Sequence, residues 1–415
     1  MKELQVIHHG RHAPQLLGTL ADDGHDLLFQ YAPQAIALGL ELSPIRLPLR
    51  TAAYPDRRTD YRKLHGVPGL IYDSLPDGWG FRLMHRRMKA SGIDLQQVTT
   101  LDRLAFLGNN TMGALTYMPA WATEAAAHDM SLQQLAQEAQ AVITDDSHQV
   151  LAEMARAGGS PGGARPKALV HFDPVSGRMS TQAEQVPDAE SWMVKFPGDD
   201  DEADCCALEE LYARVARHCG LGMLPTRFFA LADGHTAFGT QRFDRVGLQR
   251  IHVHSLAGLL HADFQEPLVS YGDFFRLTRR LTRDQRQLRQ AVQRCVFNVL
   301  MNNRDDHAKN LAFLQDADGH WRLAPPFDLT WCPGYRGEHF MDIAGEAAKP
   351  GRQHVLMAAE QAGLPAAVAA DAIEEVLSRV TPHTIVSLVG DLPVRPKTLA
   401  MLQQAVKVHQ LRLAR

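Results

Sequence analysis

No stretch of this chain approaches the roughly 18 consecutive apolar residues that a membrane span needs. The first residues, Met1-Lys2-Glu3-Leu4-Gln5, also lack the charged-then-apolar order of a secretory signal. A cytoplasmic protein with no membrane partner is expected. Cysteine is scarce and odd in number: Cys205, Cys206, Cys219, Cys295 and Cys332 show no C-x-x-C spacing, which excludes a disulfide framework and a zinc knuckle and leaves reduced packing residues. Net positive charge is missing too. With 43 Lys and Arg against 47 Asp and Glu, the formal charge of −4 provides no global field for DNA, RNA or an anionic membrane, so nucleic acid would be met locally or through a partner. There is no Gly-Lys-Ser/Thr at Walker A distance from a first glycine, no G-x-S-x-G elbow and no repeat period.

What is present is ordinary in bulk and informative in places. Charged residues make up 22% and hydrophobic residues 45% of the chain, as in a soluble globular protein. The length of 415 residues calls for two or three units. Residues 1–120 carry short apolar runs at Val6–His9 and Asp26–Tyr31, then helical spacing at Phe81, Met84 and Met88 and again over Leu101–Leu107. An Ala- and Gln-rich connector with Leu132, Leu135 and Ala139 in helical phase opens a second unit, 121–246. That unit holds strand candidates at Ala168–Phe172, Ser191–Phe196 and Thr226–Leu231, and a helix at Glu202–Cys219 that ends at Gly220. The rest, 247–415, is expected to be all helical, with helices near 272–281, 285–304, 366–380 and 396–413. The basic runs Arg82–Lys89 and Arg276–Arg294 are expected to be solvated helix faces.

Chemistry concentrates in Asn302-Asn303-Arg304-Asp305-Asp306-His307-Ala308-Lys309-Asn310 and in Pro326-Phe327-Asp328. A kinase base needs an acid with a magnesium-binding amide five positions on, and a second acid on another segment. Asp305 and Asn310 have that spacing; Asp306 is one residue short, and is read as a supporting or solvated acid. Asp328, beside Phe327, reads either as a metal ligand or as a carboxylate capping a turn. Lys195 alternates away from Trp192 on its strand, to reach phosphates or, on an edge strand, to face water. Glu209 or Glu210 on the following helix can lock that lysine, and Glu209, beside Leu208, is the choice. The loop Gly158–Lys167 can cradle phosphate oxygens with its amides, or serve as a flexible surface linker. A lone His307 among acids makes a poor zinc site, and His252, His254 and His261 read as core or surface residues.

Taken together, Ser160-Pro-Gly-Gly-Ala-Arg-Pro-Lys167, Val194-Lys195-Phe196-Pro197, Arg242-Phe243-Asp244-Arg245, Asn303-x-Asp305-x-His307-x-Lys309-Asn310 and Pro326-Phe327-Asp328 resemble the HipA family of bacterial serine/threonine kinases, toxins of HipA–HipB modules. Tyr72–Asp77 and Leu107–Leu115 resemble the family's small amino-terminal subdomain. The resemblance implies an α+β, protein-kinase-like, two-lobe fold: a small mixed N-terminal subdomain, a mixed N-lobe and a larger all-α C-lobe. It implies ATP and Mg2+ as cofactors, with Asp305 as base, Asn310 and Asp328 on the metal, and Lys195 and Lys167 on the phosphates. Gln241 to Phe243 would form the adenine hinge. Glu209, Gly162, Gly163, His307 and Lys309 join the nucleotide-binding set, and Ser160 becomes an autophosphorylation site that silences the enzyme. The partners implied are a HipB-like helix-turn-helix antitoxin, operator DNA through it, and a protein substrate, typically the glutamyl aminoacyl-tRNA synthetase. Three departures stand out: Gln241 occupies a usual Glu position, Leu329-Thr330 follow Asp328, and Ile251–Leu260 differs from the better-known members, as in a divergent branch. The other readings of the same residues are a choline- or aminoglycoside-type small-molecule kinase and a silent scaffold that binds antitoxin or DNA.

Overall fold

The computed structural model describes residues 2–10, 13–55, 61–121, 129–145, 152–158, 162–182, 185–186 and 188–415. The first part of the chain is built on a four-stranded antiparallel sheet of β1 (Glu3–His8), β2 (Gln15–Asp22), β3 (Leu27–Tyr31) and β4 (Leu115–Met118), in the order β3-β2-β1-β4. Alternation in β1 sends Leu4 and Val6 inward. They join Leu17, Leu20, Phe29 and Tyr31 in a core closed by Leu101 and Leu104. The helices here are α1 (Pro33–Ala37), α2 (Gly69–Tyr72), α3 (Gly78–Ala90) and α4 (Thr100–Leu107). A reciprocal Thr99–Asp102 capping box starts α4. Of the apolar stripe expected on α3, Met84 and Met88 are buried, along with Trp79 and Leu83.

After α5 (Leu132–Thr144) and α6 (Ala152–Gly158) comes a five-stranded antiparallel sheet. Its members are β5 (Lys167–Phe172), β6 (Met179–Ser180), β7 (Glu190–Lys195), β8 (Thr226–Ala230) and β9 (Thr236–Gln241), in the order β6-β5-β7-β9-β8. All three expected strands are there. Two strands were not expected: β6 is two residues at one edge, and β9, which contains Gly239, lies inside the sheet because β7 and β8 both pair with it. β7 is therefore interior. In this register Lys167 stands directly opposite Lys195, so both side chains leave the same face. Helix α7 (Cys205–His218) packs Leu208, Leu211, Tyr212 and Val215 into a core shared with the helices that follow.

Beyond a small hairpin of β10 (Arg245–Val246) and β11 (Gln249–Arg250), the chain is not all helical as expected. It carries a three-stranded antiparallel sheet of β12 (His252–Ser255), β13 (Ala312–Gln315) and β14 (Trp321–Leu323), in which β12 pairs with β13. No local pattern marks that pairing, because α8 (Leu256–Leu260), α9 (Tyr271–Thr282) and α10 (Gln285–Leu300) lie between the partners. The remaining helices are α11 (Arg352–Gln361), α12 (Ala366–Arg379), α13 (Pro382–Val389) and α14 (Pro396–Leu413). The largest core runs through α7, α9, α10, α11, α12 and α14. The basic run on α9 and α10 is exposed at Arg276, Arg280 and Arg286, but Arg294 is buried. Its Nε has no hydrogen-bond partner among the described residues, and burial pushes its pKa down to about 9. The five cysteines are free thiols, four of them buried. No described helix is long and apolar enough to cross a membrane.

The first sheet is tied to the third through buried polar groups. Asp73, just after α2, accepts from the Ser255 amide at 2.7 Å and its hydroxyl at 2.6 Å, and lies 2.6 Å from His254 Nδ1. His254 Nε2 is 2.9 Å from Ser43 Oγ, and His252 Nε2 is 3.0 Å from the Leu42 carbonyl. These histidines are core residues at a junction.

Candidate functional site

A cleft of about 670 Å3 lies among the glycine-rich loop, β7, β9, α7, the 305–310 loop and the 325–332 segment. That volume is in the range of small-molecule and cofactor pockets. Every described residue of the expected base, metal and nucleotide-binding set lines it: Gly162, Gly163, Lys167, Lys195, Glu209, Gln241, Phe243, Asp305, His307, Lys309, Asn310 and Asp328. Ser160 lies outside the described residues.

At the centre, Lys195 donates to Glu209 Oε2 at 2.7 Å and to Asp328 Oδ1. Burial disfavours the ammonium, but Asp328 and Glu209 outweigh it and hold the Lys195 pKa above the usual lysine range. The alternative of an edge-strand lysine facing water fails, since β7 is interior and the Lys195 side chain is 5% exposed. Asp328 makes this ion pair from a left-handed backbone, φ 57°, a conformation Asp tolerates better than most residues. Burial would raise its pKa, but Lys195 and Lys167 hold it well below the carboxylate range. The cap reading of Asp328 gives way to a charge-paired carboxylate in the cleft.

Glu209 serves a second cation. Arg165, at the end of the glycine-rich loop, donates to Glu209 Oε1 at 2.8 Å and to Asp201 Oδ1 at 2.7 Å. Glu210 points elsewhere, to Arg214 and Arg217 at 3.1 Å each, so of the two candidates Glu209 is the one that reaches Lys195. Among the described residues no carboxylate bonds Lys167: its ammonium donates to the Gly162 carbonyl, and burial, the largest effect, outweighs the pull of Asp328 and, with Lys195 opposite, depresses its pKa to about 8. The loop end is also fastened: Gly163 donates its amide to Asp77 Oδ1, and its carbonyl accepts from the Trp79 amide at 3.1 Å. These anchors exclude a loose surface linker over Gly162–Lys167.

The adjacent acids of the 305–310 loop divide sharply. Asp306 is buried, with Oδ2 accepting from the Tyr271 hydroxyl at 2.7 Å and lying 2.8 Å from His339 Nδ1, while Oδ1 accepts from the Phe340 amide at 2.9 Å. It is not solvated. Asn298 and Asn303 extend this network, Asn303 donating to Asn298 and Asn298 to Tyr271. Asp305 instead faces the cleft with 57% of its side chain exposed. The protein around its carboxyl displaces water and raises its pKa; His307 opposes this, while Asp328 and Asp306 add repulsion. Asn310 donates to the Asp305 carbonyl at 2.8 Å and stiffens the loop. His307 Nε2 is 4.0 Å from Asp305, and the ring packs between Phe264 and Phe340; its buried Nδ1 has no partner among the described residues. Lys309 donates to Asp77 Oδ2 at 3.0 Å and lies over the rings of Tyr72 and Phe264.

On the far wall, the Gln241 amide donates to the Pro225 carbonyl at 3.0 Å, and Phe243 packs on Phe327 with ring centroids 5.3 Å apart. Asp244, fully buried, accepts from Arg242, Arg245 and the Gly113 amide. Burial opposes its charge, but Arg242 and Arg245 hold its pKa well below the carboxylate range. This cluster fastens the 111–113 loop of the first sheet's unit beside Gln241, and it places Met112 and Ala114 on the cleft wall.

The donor set fits a magnesium nucleotide. Asp328, Asp305 and the Asn310 amide offer hard oxygen ligands, two mutually repelling carboxylates favour a divalent cation between them, and Lys195 and Lys167 supply positive charge for phosphates. Sequence reasoning missed Asp77, Arg165, Asp244 and His339 as parts of this arrangement. Three of the four lie inside quoted motifs, but each of those three has a partner more than 40 residues away along the chain.

Comparison with known proteins bears on the chain as a whole. The HipA N-terminal domain description matches residues 6–118, and the HipA-like C-terminal domain description matches residues 159–384. Among curated proteins, the putative kinase Y4mE of Sinorhizobium fredii is 27% identical over 173 residues, 39% of this chain; the chain spans only 38% of the length of that relative. HipA of Shewanella oneidensis, solved with HipB and operator DNA, superposes with a TM-score of 0.72 at 17% identity, over 99% of this chain and 97% of that one, so the fold is shared. The Helicobacter pylori proinflammatory kinase CtkA gives a TM-score of 0.42 at 13% identity over 55% of this chain and 86% of that one, too distant to carry an argument.

Proposed function

The chain belongs to the HipA family, and from that premise we propose that it is an ATP- and Mg2+-dependent serine/threonine protein kinase, the toxin of a toxin–antitoxin pair. The observation that carries the reading is the convergence on one cleft of Lys195 paired with Glu209, the exposed acid Asp305, Asn310 and Asp328. In this reading the chain divides near residues 120 and 246 into an N-terminal subdomain, a kinase N-lobe and a C-lobe, with the cleft between the lobes.

Asp305 accepts the proton of the acceptor hydroxyl as that oxygen bonds to the γ-phosphorus; the bond from phosphorus to the β–γ bridging oxygen breaks, and ADP leaves. The raised Asp305 pKa makes it a better base than an ordinary aspartate. Lys195, oriented by Glu209, and Lys167 hold the α- and β-phosphates. Asn310 and Asp328 would hold Mg2+, which neutralises phosphate charge when bound. Gln241 to Phe243 carry the adenine through backbone groups, since Gln241 lacks the usual carboxylate. His307, whose Nδ1 has no partner among the described residues, joins the nucleotide-binding set from the cleft wall.

Ser160 is the autophosphorylation site in this reading, its modification withdrawing the loop and silencing the enzyme. The partners are a HipB-like antitoxin, through it operator DNA, and a cytoplasmic protein target of the aminoacyl-tRNA synthetase class. The test is purified protein with labelled ATP and Mg2+, after mass spectrometry has shown Ser160 unmodified. Self-labelling is expected, reduced about 100-fold or more in Asp305→Ala and greatly in Ser160→Ala; undiminished labelling of Asp305→Ala would remove Asp305 as base. Label on a metabolite but never on protein would turn the reading to a small-molecule kinase.

A further inference from the structure

Asp77 belongs to the N-terminal unit, at the start of α3, but neither of its carboxylate oxygens is spent on that unit. Oδ1 accepts the Gly163 amide of the glycine-rich loop, and Oδ2 accepts the Lys309 ammonium of the 305–310 loop at 3.0 Å. The surroundings reinforce both contacts. The Trp79 amide donates to the Gly163 carbonyl at 3.1 Å, and the Trp79 indole donates to the Lys167 carbonyl at 3.0 Å. Gly78, at φ 30°, comes so close that a Cβ there would lie 2.7 Å from Ala164 Cα. Lys309 rests over Tyr72 and Phe264, with ring centroids 4.9 and 4.8 Å from its Nζ. Although Asp77 is largely buried, Lys309, the Gly163 amide and Lys167 hold its pKa below the ordinary value, so it is ionised at neutral pH.

We infer that Asp77 is a positioning residue of the nucleotide cleft, a carboxylate from the N-terminal unit that clamps the glycine-rich loop and the catalytic loop at a fixed separation. This rests on the kinase reading for its consequence, though not for its geometry. Lys309 then acts as the catalytic loop's tether, its charge spent on Asp77 and two rings, more than as a ligand of the nucleotide. The clamp explains why the N-terminal unit approaches the loop with a glycine at position 78. It also makes that unit part of the active site: both loops that face the phosphates are referenced to one side chain outside the kinase lobes, and small displacements of such groups cost large factors in rate.

The experiment compares the full-length wild type with Asp77→Ala, Asp77→Asn and Lys309→Met by hydrogen exchange of the backbone and by steady-state kinetics. Asp77→Ala is expected to speed exchange across 162–167 about tenfold or more, to raise KM for ATP and to lower kcat, each about tenfold. Asp77→Asn keeps an oxygen for the Gly163 amide but loses the ion pair, so it should retain protection at 162–167 and lose only kcat; Lys309→Met should do the same. General destabilisation cannot produce that split, because it would quicken exchange in β8 and α10 alike. Unchanged exchange at 162–167 in Asp77→Ala, or equal loss of protection in Asp77→Ala and Asp77→Asn, overturns the clamp. If the wild type transfers no phosphoryl group, the kinase reading fails while the exchange data still decide the clamp.

Discussion

Lys195 on β7 and Lys167 on β5 stand opposite each other, both buried on one face of the same sheet, and their charges are maintained in opposite ways. Two carboxylates meet Lys195 and hold its pKa above the usual range; among the described residues only a carbonyl bonds Lys167, whose pKa falls to about 8. Burial is common to the pair, so it does not decide the outcome. The partners do, and they come from α7 and from the turn at Asp328, far along the chain. Lys195 is a fixed charge, while Lys167 is a conditional one.

The difference can be broken most forcefully by removing each lysine in turn. Lys195→Met leaves Glu209 and Asp328 without their shared cation. Phosphoryl transfer should fall by about three orders of magnitude and unfolding stability by about 3 kcal/mol, read by urea denaturation. Lys167→Met should lower transfer by only about tenfold and make the protein more stable. The shift from 10.5 to about 8 marks an uncompensated ammonium, a cost on the order of 3 kcal/mol at neutral pH. Equal destabilisation by both variants would end the distinction.

A finer variant is Glu209→Gln, which removes one of Lys195's two carboxylates and also loosens Arg165. Lys195 should then behave more like Lys167, with transfer down about 100-fold and an alkaline limb appearing in the rate profile. A variant profile that overlays the wild type would mean Asp328 alone maintains the charge.

The smallest effect is the pH response of Lys167 itself. Between about 8 and 10.5 the unfolded chain binds a proton that the folded chain does not. Stability from this group therefore rises with pH across that window. ATP affinity moves the other way, weakening above about pH 8 as the positive charge is lost. Denaturation and calorimetric ATP titration across pH 7–10 should show both trends, and Lys167→Met should flatten both. Affinity that is constant through pH 9 in the wild type would deny Lys167 a phosphate role.

Much of the site was legible before any coordinates. Counting five positions back from Asn310 chose Asp305 over Asp306, and the two acids do divide into an exposed carboxyl in the cleft and a buried one enclosed by Tyr271, His339 and Phe340. Alternation put Lys195 on the face away from Trp192, and Glu209 was preferred to Glu210 as the neighbour of Leu208; the two side chains meet. Motif spacing and strand alternation are both local, so these placements could be read along the chain. The three-stranded sheet was not legible. Its strands are only three or four residues long and β12 finds β13 across three helices, so the alternation is too brief to show and the partner too distant to suspect. Asp77 escaped for a related reason: it reads as an ordinary helix start, and its two ligands lie 86 and 232 residues further on.

Sequence by itself determined the family, the acids and amide of the 305–310 loop, Asp328, Lys195 and its helix partner, because each rests on residue type and short spacing. Tertiary structure alone decided which lysine is permanently charged, that Asp306 is sealed under the loop, that Arg165 shares Glu209, and that Asp77 spans two loops. All of these are electrostatic facts between distant segments. A charge in a low-dielectric interior is governed by what lies within a few ångströms of it in space, and that distance is written nowhere along the chain.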